Sequence, residues 1–412
     1  MVEKILEVIS HEWGTLGGHD PTVIKDQTSD TYYMFSTDTM LDNQNTSGVQ
    51  IRRSKNLENW EYIGNALDGV PKDAKDWANA IGLWAPEVIF HNGEYRMYYS
   101  ASTFGSTISC IGLAVSGNLE GPWEDRGIVV KTSPDLAMHN AIDANVFFDK
   151  EGKMWMSYGS FFGGIYLVEL APETGKRINE LDYGEKIAYR PKSVDTAIEG
   201  CFILYKPEFD YYYMFVSHDS LFDTYNIRVL RSRNVKGPYE DFNGKTYFDE
   251  SDNPDEVGLK ILGSYQFDNE LPWIGPGHNS VLKDHNDYYL VHHVRIQDRD
   301  VSNLTFIRTL NWLSNGWPVA GVSYFKDGMG SINEITECDG LWEIVVFEPS
   351  DNTIQRSELI NIDANFNAAK KAELENIDDY IMNKGWDWVN NREQLEVTGI
   401  KCDGRVFIGR KK

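Results

Sequence analysis

One short pattern occurs five times along the sequence, and this repeat limits the folds that the chain can adopt. In each copy an acid or a histidine stands at the start of an apolar run. The copies are HDPTVIK (19–25), WAPEVIF (84–90), IDANVFF (142–148), IEGCFIL (198–204) and GHNSVL (277–282). Each is followed by a polar turn and then by a strand-like aromatic run, such as YYMFS (32–36) or YYYMFVS (211–217). Because Asn-Gly and Asp-rich turns between such runs are typical of hairpins, each copy predicts a pair of antiparallel strands.

Most copies continue with a third strand, a turn and an outer strand that begins with an aromatic residue. The clearest examples are IRRSKNLENW (51–60), IGLAVSGNLEGPW (111–123) and IRVLRSRNVKGPY (227–239), whereas 165–170 and 304–310 are more degenerate. Four-stranded units that recur at roughly 60 to 75 residues are typical of a β-propeller. A parallel α/β barrel would need amphipathic helices between its strands, and the segments here are short and rich in Gly and Asp. The repeat therefore predicts an all-β chain with a five-bladed β-propeller.

The repeat stops after GWPV (316–319), and the remaining sequence has a different pattern. It contains strand-like runs such as LWEIVVF (341–347) and GRVFIG (404–409), and a possible helix at 367–375. We therefore predict two domains. Residues 1–322 form the five-bladed β-propeller catalytic domain, and residues 323–412 form a small C-terminal domain resembling a β-barrel or sandwich.

Composition excludes several classes of partner. The chain of 412 residues has a formal net charge of −24, which argues against nucleic acid or an anionic membrane as partner, since either needs a basic surface. No apolar run approaches the length of a membrane helix, and the four cysteines lie far apart, without a zinc or disulfide pattern. The first residues carry acids rather than the basic and apolar run of a signal peptide. We expect a monomer that is either cytoplasmic or a mature secreted form.

The residues that open the five repeats predict a shared site. In a propeller the first strands line a central channel, so Asp20, Glu87, Asp143, Glu199 and His278 would meet there. Taken singly, an acid at a strand start is typical of a cap or turn, and a lone histidine of a hydrogen-bonded loop, but the recurrence favours a common site. Glycoside hydrolysis needs one carboxyl as acid and another as base, and a third carboxylate beside the acid raises the acid's pKa. Glu87 lies deeper in its strand and is either a supporting residue or an ordinary surface acid.

Several motifs resemble family 43 of the glycoside hydrolases, and in particular its endo-1,5-α-L-arabinanase branch. The resemblance covers about residues 14 to 320. The family motifs are HDP (19–21), WAPEV (84–88), NAIDA (140–144), IEG (198–200) and GPGHNS (275–280). The motifs that resemble the arabinanase branch are STFGS (102–106), SYGSFFGGI (157–165) and GWPV (316–319). The region after residue 323 resembles the small β-domain of the longer arabinanases.

The resemblance implies an inverting hydrolase of α-1,5-linked arabinan or its oligosaccharides. By resemblance Asp20 is the general base, Glu199 is the general acid, and Asp143 orients Glu199 and raises its pKa. His278 matches a residue near a central metal ion, usually calcium, that is held largely by water. The expected substrate-binding residues are His19, Trp84, Phe104, Asn140, Ser160 and Phe162. The aromatic members of this set are either sugar-stacking surfaces or ordinary packing residues.

The sequence departs from the family pattern at a few places near the site. Ala144 stands where a proline often follows the aspartate, and Cys201 and Phe202 stand where Pro-Tyr often follows the acid. Phe162 replaces a frequent tryptophan. These changes leave the three acids intact but alter the subsites, so two other functions stay open. One is an exo-acting α-L-arabinofuranosidase or β-xylosidase, and the other is a non-catalytic carbohydrate-binding propeller, against which the three acids argue.

Overall fold

The computed structural model describes residues 2–41, 44–45, 47–296, 303–331, 339–362 and 376–412, and its regular structure is nearly all β. The helical segments are short: α1 (Val2–Glu7), a π-helical turn (Val8–Trp13), α2 (Lys72–Ala78) and a 3-10 turn (Lys192–Val194). Among the described residues no helix has both the length and the apolar content needed to cross a membrane. The prediction of a nearly all-β chain is confirmed, whereas the helix predicted at 367–375 lies outside the described residues.

Two antiparallel sheets form the first part of the chain. The first sheet contains β1 (Thr22–Lys25), β2 (Tyr32–Ser36), β5 (Gln50–Ser54) and β6 (Glu61–Asn65). Between β2 and β5 the chain forms a separate short hairpin, β3 (Met40–Leu41) and β4 (Gln44–Asn45). The second sheet contains β7 (Trp84–His91), β8 (Glu94–Ala101), β9 (Ser109–Ser116) and β10 (Glu124–Thr132). In both sheets the strands are adjacent in chain order, as hairpin connections require.

The third and fourth sheets repeat this arrangement. The third contains β11 (Asn145–Phe148), β12 (Met154–Tyr158) and β13 (Ile165–Ala171), with β14 (Lys176–Arg177) and β15 (Glu185–Ala188) both paired to β13. The fourth contains β16 (Ile198–Lys206), β17 (Tyr211–His218), β18 (Asn226–Ser232) and β19 (Leu259–Leu262). The aromatic run of each predicted hairpin is thus the second strand of its sheet.

The last two sheets are larger. The fifth contains β20 (Tyr265–Gln266), β21 (Trp273–Asp284), β22 (Asp287–Ile296), β23 (Leu304–Trp312) and β24 (Pro318–Ala320). The C-terminal strands are β25 (Gly330–Ser331), β26 (Gly340–Val346), β27 (Gln355–Arg356), β28 (Glu358–Ile362), β29 (Ile377–Asp387), β30 (Arg392–Lys401) and β31 (Val406–Lys411). All of these except β27 form a sixth sheet, whereas β27 pairs in parallel with β20 of the fifth.

Neighbouring sheets share apolar cores because the two faces of each second strand point to different neighbours. In β2, Phe35 belongs to a core with Met97 of the second sheet, and Met34 belongs to a core with Val291 of the fifth. Successive residues of a strand point to opposite faces, so a continuous apolar run can fill two cores at once. This explains why the second strands are uniformly aromatic and aliphatic rather than alternating with polar residues.

One strand of each of the five sheets, called here its first strand, contacts the first strands of its neighbours in chain order. In the fifth sheet this strand is β21, which follows the short β20, and its second strand is β22. β1 contacts β7, β7 contacts β11, β11 contacts β16, β16 contacts β21, and β21 contacts β1 again. The N-terminal ends of these strands therefore face a common central region, which is where the sequence analysis places the candidate site.

The sixth sheet is packed on this body and shares a core with it. Val345, Phe347 and Ile408 lie in one apolar cluster with Leu310 and Val319 of the fifth sheet. A separate small core of the sixth sheet includes the buried side chains of Trp342, Val397 and Phe407. The packing gives the C-terminal region a fixed position against the rest of the chain.

Candidate active site

Each first strand has, within it or just before it, a residue with a left-handed backbone conformation. These residues are Asp20 (φ 49°), Ala85 (φ 39°), Asp143 (φ 62°), Gly200 (φ 58°) and His278 (φ 46°). An L-residue with a side chain pays roughly 1–2 kcal/mol for this conformation, and such residues concentrate at functional sites. At the second, fourth and fifth positions the strand also shifts register against its neighbour, as in a β-bulge. The side chains of Asp20, Asp143 and His278, which all have the left-handed conformation, line the same large cavity.

The register of these turns corrects the predicted equivalence of the five repeats. Glu199 stands one residue before the left-handed Gly200, and Glu87 stands two residues after the left-handed Ala85. A Cβ atom at Gly200 would lie 3.2 Å from the Cα atom of His278, so this position needs glycine for both its backbone and its space. In the fourth sheet the acid Glu199 therefore stands one residue before the left-handed turn, but its side chain still lines the central cavity.

Glu87 is a buried cross-link between first strands and not a surface acid. Its two carboxyl oxygens accept hydrogen bonds of 2.9 Å from the Thr22 hydroxyl of β1 and the Asn145 side-chain amide of β11. The Asn145 side-chain oxygen in turn accepts a 2.8 Å bond from the backbone amide of Ile203 in β16. Burial raises the pKa of Glu87 to about 7. Glu87 does not line the large cavity described below. The structure therefore favours a supporting residue over an ordinary surface acid.

We expect Glu87→Ala to lower the free energy of unfolding by about 2–4 kcal/mol, because it leaves the buried donors of Thr22 and Asn145 without their acceptor. Glu124→Ala is the matched control, since Glu124 is an exposed strand residue that pairs with the exposed Arg126, and we expect a change within about 0.5 kcal/mol. Urea denaturation of both variants measures the difference. Equal stability of the two variants would contradict the cross-linking role.

All ten residues predicted for the site line one cavity of about 880 Å³. They are His19, Asp20, Trp84, Phe104, Asn140, Asp143, Ser160, Phe162, Glu199 and His278. Loops that follow second strands supply part of the wall, and the starts of first strands supply the floor. The structure thus brings together every predicted site residue, whereas their individual roles stay predictions.

Asp20 is buried at the centre of this cavity, among three histidines. Its Oδ2 atom accepts a 2.6 Å hydrogen bond from the Thr37 hydroxyl and lies 2.7 Å from Nδ1 of His19. Its Oδ1 atom lies 3.2 Å from Nδ1 of His278 and 3.3 Å from Nδ1 of His293. Burial opposes ionisation, but the charges of His19 and His278 and the hydrogen bonds outweigh it and hold the pKa of Asp20 well below its ordinary value. Asp20 is therefore ready to accept a proton.

Asp143 and Glu199 form a pair of carboxyl groups in the same cavity. Glu199 accepts hydrogen bonds from the Ser160 hydroxyl at 2.6 Å and from the Tyr225 hydroxyl at 2.8 Å, and Asp143 accepts a 3.3 Å bond from the amide of Gly200. Burial and the charges of Glu199 and Asp20 raise the pKa of Asp143 well above its ordinary value. Since two adjacent buried carboxyl groups resist losing both protons, the pair retains a proton that an isolated carboxyl would lose.

Tyr225 and His293 belong to the site, and the sequence analysis did not identify them. The His293 ring stacks on His19 at a centroid distance of 4.0 Å and on Tyr225 at 5.5 Å, so one stack joins the surroundings of Asp20 to the Glu199 carboxylate. Burial lowers the pKa of His293 to about 3, which keeps its ring neutral. A Cβ atom at Gly277 would lie 1.9 Å from the Tyr225 ring, so the second glycine of the GPGH motif makes room for this stack. His293 lies in the second strand β22 and Tyr225 immediately precedes the third strand β18, where the repeat carries no signal for them.

Aromatic side chains stand exposed around the rim of the cavity. Phe104, Phe162 and Phe222 are 76%, 45% and 62% exposed, and the rings of Phe104 and Phe222 lie 6.5 Å apart. Exposed aromatic rings in a cavity suit stacking on sugar rings better than packing. Phe222 was missed, although it occupies a loop after a second strand just as Phe104 and Phe162 do. Asn140 adds a buried amide oxygen with no hydrogen-bond partner among the described residues.

A smaller adjoining cavity of about 20 Å³ has the donors that a hard cation prefers. It is lined by Asp20, Glu87, Asp143, His278 and Asn279, among others. Within the described part of the chain, neither polar atom of the Asn279 side chain has a hydrogen-bond partner. Carboxylate and amide oxygens suit calcium, and the volume admits one ion or one water molecule. The residues present therefore fit a single small cation.

Comparison with known proteins extends over this whole site. The sequence profile of the glycosyl hydrolases family 43 matches residues 15–318. The extracellular endo-α-(1→5)-L-arabinanase 2 of Bacillus subtilis is 32% identical to the chain, over 86% of this chain and 81% of that protein. An extracellular exo-α-(1→5)-L-arabinofuranosidase of Cellvibrio japonicus is 34% identical, over 73% of this chain and 85% of that protein. The crystal structure of the endo-1,5-α-L-arabinanase of Thermotoga petrophila superposes with a TM-score of 0.80 at 28% identity, and it covers 97% of this chain and 99% of its own.

Proposed function

The chain belongs to family 43 of the glycosyl hydrolases, and we propose that it is an inverting endo-arabinanase. Its substrate is arabinan or arabino-oligosaccharides, cut at internal α-1,5-linked L-arabinofuranosyl bonds. The observation that carries this proposal is the contrast within one cavity between an ionised Asp20 and a proton-retaining Asp143–Glu199 pair. Inverting hydrolysis needs one carboxylate to activate water and one carboxyl group to protonate the leaving oxygen.

In the proposed mechanism Asp20 is the general base. The hydrogen bonds from Thr37 and the neighbouring imidazoles hold its carboxylate in one orientation. A water molecule between Asp20 and the sugar gives up a proton to this carboxylate as its oxygen attacks the anomeric carbon. The attack proceeds from the face opposite the leaving group, which inverts the configuration.

Glu199 is the general acid that protonates the glycosidic oxygen. Ser160 and Tyr225 hold its two oxygens, so the side chain is positioned before the substrate arrives. Repulsion between the two carboxylates discourages the Asp143–Glu199 pair from releasing its proton into solution. His19, Trp84, Phe104, Asn140 and Phe162 bind the arabinose units along the cavity.

We further propose that the five sheets with cyclically contacting first strands form a five-bladed β-propeller within residues 1–322. Residues 323–412 form the C-terminal β-domain, which consists chiefly of the sixth sheet. The cyclic order of the contacts and the shared core between each pair of neighbouring sheets support this architecture. We propose that the protein acts as a monomer.

An exo-acting α-L-arabinofuranosidase is the second candidate, since one relative has that activity in its name. The names of the relatives favour endo action, because the Bacillus subtilis relative and the Thermotoga structure are both endo-arabinanases. The names of the Bacillus and Cellvibrio relatives place both outside the cell, which favours a mature secreted form over a cytoplasmic one.

The product profile on linear arabinan tests the proposal. Endo action should lower the viscosity early and release a ladder of oligosaccharides, and proton NMR of the first product should show the inverted anomer. Release of arabinose alone would establish exo action instead. Tight binding without new reducing ends would establish a carbohydrate-binding propeller.

A calcium ion is proposed at the small cavity beside His278 and Asn279. When bound, such an ion would supply positive charge that offsets the buried carboxylates of Asp20, Asp143 and Glu87. Removal by a chelator should lower the melting temperature by a few degrees, because a ligand at 100 times its Kd stabilises the folded state by about 2.7 kcal/mol. Calorimetry with and without added calcium, together with metal analysis of the purified protein, checks this. An unchanged melting temperature and a metal-free protein would contradict it.

A further inference from the structure

A loop of the C-terminal region reaches the large cavity. It connects β26 to β27, and its residue Asn352 lines the cavity beside Asp219 and Asp255. The other lining residues come from the five sheets and their connecting loops. The C-terminal region therefore contributes directly to the wall in which the substrate lies.

Buried cations of the fourth sheet hold this loop in place. The Lys260 ammonium of β19 is buried and donates hydrogen bonds to the backbone oxygens of Glu348 and Asp351, at 3.1 and 2.8 Å, and to the Asn352 side-chain oxygen at 2.6 Å. The buried Arg228 of β18 donates a 2.5 Å bond to the backbone oxygen of Pro349. A loop held at four residues by a rigid sheet is a fixed wall and not a mobile lid.

The same contacts determine which way the Asn352 amide points. Its oxygen accepts from Lys260, and its nitrogen donates a 2.6 Å hydrogen bond to Oδ2 of Asp219. The other oxygen of Asp219 is held at 2.6 Å by the buried Arg190. An amide nitrogen carries two hydrogens, and among the described residues only one of them has an acceptor. The second N–H is available to a sugar hydroxyl in the cavity.

The contacts of Asn352 indicate on which side of the cleaved bond it lies. Glu199 lies near the start of the first strand of the fourth sheet, Asp219 directly follows the second strand, and Asn352 is bound to Asp219. The general acid stands beside the leaving group, since it must protonate the departing oxygen. A chain that continues past Glu199 along this sheet would meet the Asn352 amide with its leaving-group sugars.

We propose that Asn352 is a specificity-determining residue that binds a hydroxyl of an arabinan chain on the leaving-group side. The C-terminal region thereby completes the substrate cavity and lengthens the segment of chain that the enzyme recognises. This inference rests on the proposed endo-arabinanase function. It assigns the C-terminal region a part in substrate recognition by the catalytic cavity itself, in addition to its packing against the fifth sheet.

The test compares substrates of different length. For Asn352→Ala, kcat/KM on arabinohexaose and linear arabinan should fall about fivefold, the effect of roughly one hydrogen bond. The loss should appear in KM with kcat retained, and arabinotriose should change less than twofold. Asn352→Asp should give at least the same length-dependent loss, because it keeps an acceptor for Lys260 but has no N–H to donate and places a second carboxyl group against Asp219. The melting temperature of each variant is recorded to separate this repulsion from the loss of the N–H. Thr353→Ala is the matched control, since that residue is exposed and its hydroxyl donates to Asp351 of the same loop.

The outcomes separate this inference from the proposed function. A wild-type enzyme that releases no product from any arabino-oligosaccharide overturns the proposed function. A wild-type enzyme that is active, with Asn352→Asp folded and indistinguishable from Thr353→Ala on every chain length, overturns the role of Asn352. A loss that is equal on arabinotriose and arabinohexaose also overturns it, because a distant subsite cannot act on a chain too short to reach it.

Discussion

Asp20→Asn is expected to reduce kcat on linear arabinan by about 10²–10⁴-fold, the usual contribution of a general base. Asparagine has the shape of aspartate and can still accept the hydrogen bond that Thr37 donates at 2.6 Å. It cannot take a proton from water, so the loss reports chemistry and not a missing side chain. The measurement is the initial rate of reducing-end formation at saturating substrate, with the melting temperature recorded for each variant.

Asp30→Asn is the control for this experiment. Asp30 lies in the turn after β1 and is almost fully exposed, and its ion pair with Lys25 is at 3.4 Å. Its replacement should leave kcat within a factor of two. A folded Asp20→Asn variant with more than a third of the wild-type rate would contradict the assignment of Asp20 as the base.

The second large effect is expected for Glu199→Gln, and it should depend on the leaving group. Glutamine has the shape of glutamate and can accept one of the two bonds from Ser160 and Tyr225, while its amide N–H donates to the other hydroxyl oxygen, but it has no acidic proton to give. On arabinan, where the leaving alkoxide needs protonation, kcat should fall about 10²–10⁴-fold. On an aryl arabinobioside that releases dinitrophenolate, which leaves without protonation, the loss should be less than about tenfold.

The same pair of substrates distinguishes the acid from the base. Asp20→Asn should lose activity equally on both, because water must be activated whatever group departs. An equal and large loss on both substrates in Glu199→Gln would contradict its assignment as the acid. Ser160→Ala and Tyr225→Phe should each fall between wild type and Glu199→Gln on arabinan, since each removes one of the bonds that position the carboxyl group.

The sequence was most informative where the fold depends on local pattern. Hairpin turns and apolar runs specify paired strands, and five copies of that pattern specified the five sheets in their order. The positions of Asp20, Asp143 and His278 followed from the repeat because each of these residues lies at its left-handed turn. The repeat also identified Glu199, although this acid stands one residue before the left-handed turn at Gly200.

The remaining site residues could not be predicted in this way because they come from other parts of the repeat. Tyr225 immediately precedes a third strand and His293 lies in a second strand. They reach the carboxyl groups only because neighbouring sheets pack together. Glu87 illustrates the opposite error. It looks in sequence like a fourth strand-opening acid, yet the bulge before it turns its carboxyl group away from the large cavity and toward Thr22 and Asn145.

By itself the sequence determined the nearly all-β class, the order of the strands and the family, because turns, alternation and motifs are properties of neighbouring residues. Only the tertiary structure decided which groups carry protons. Burial and through-space charge, which depend on residues far apart in the chain, lower the pKa of Asp20 and raise that of Asp143. The same holds for Asn352, whose place in the cavity depends on contacts with Lys260 and Asp219, both far from it in sequence.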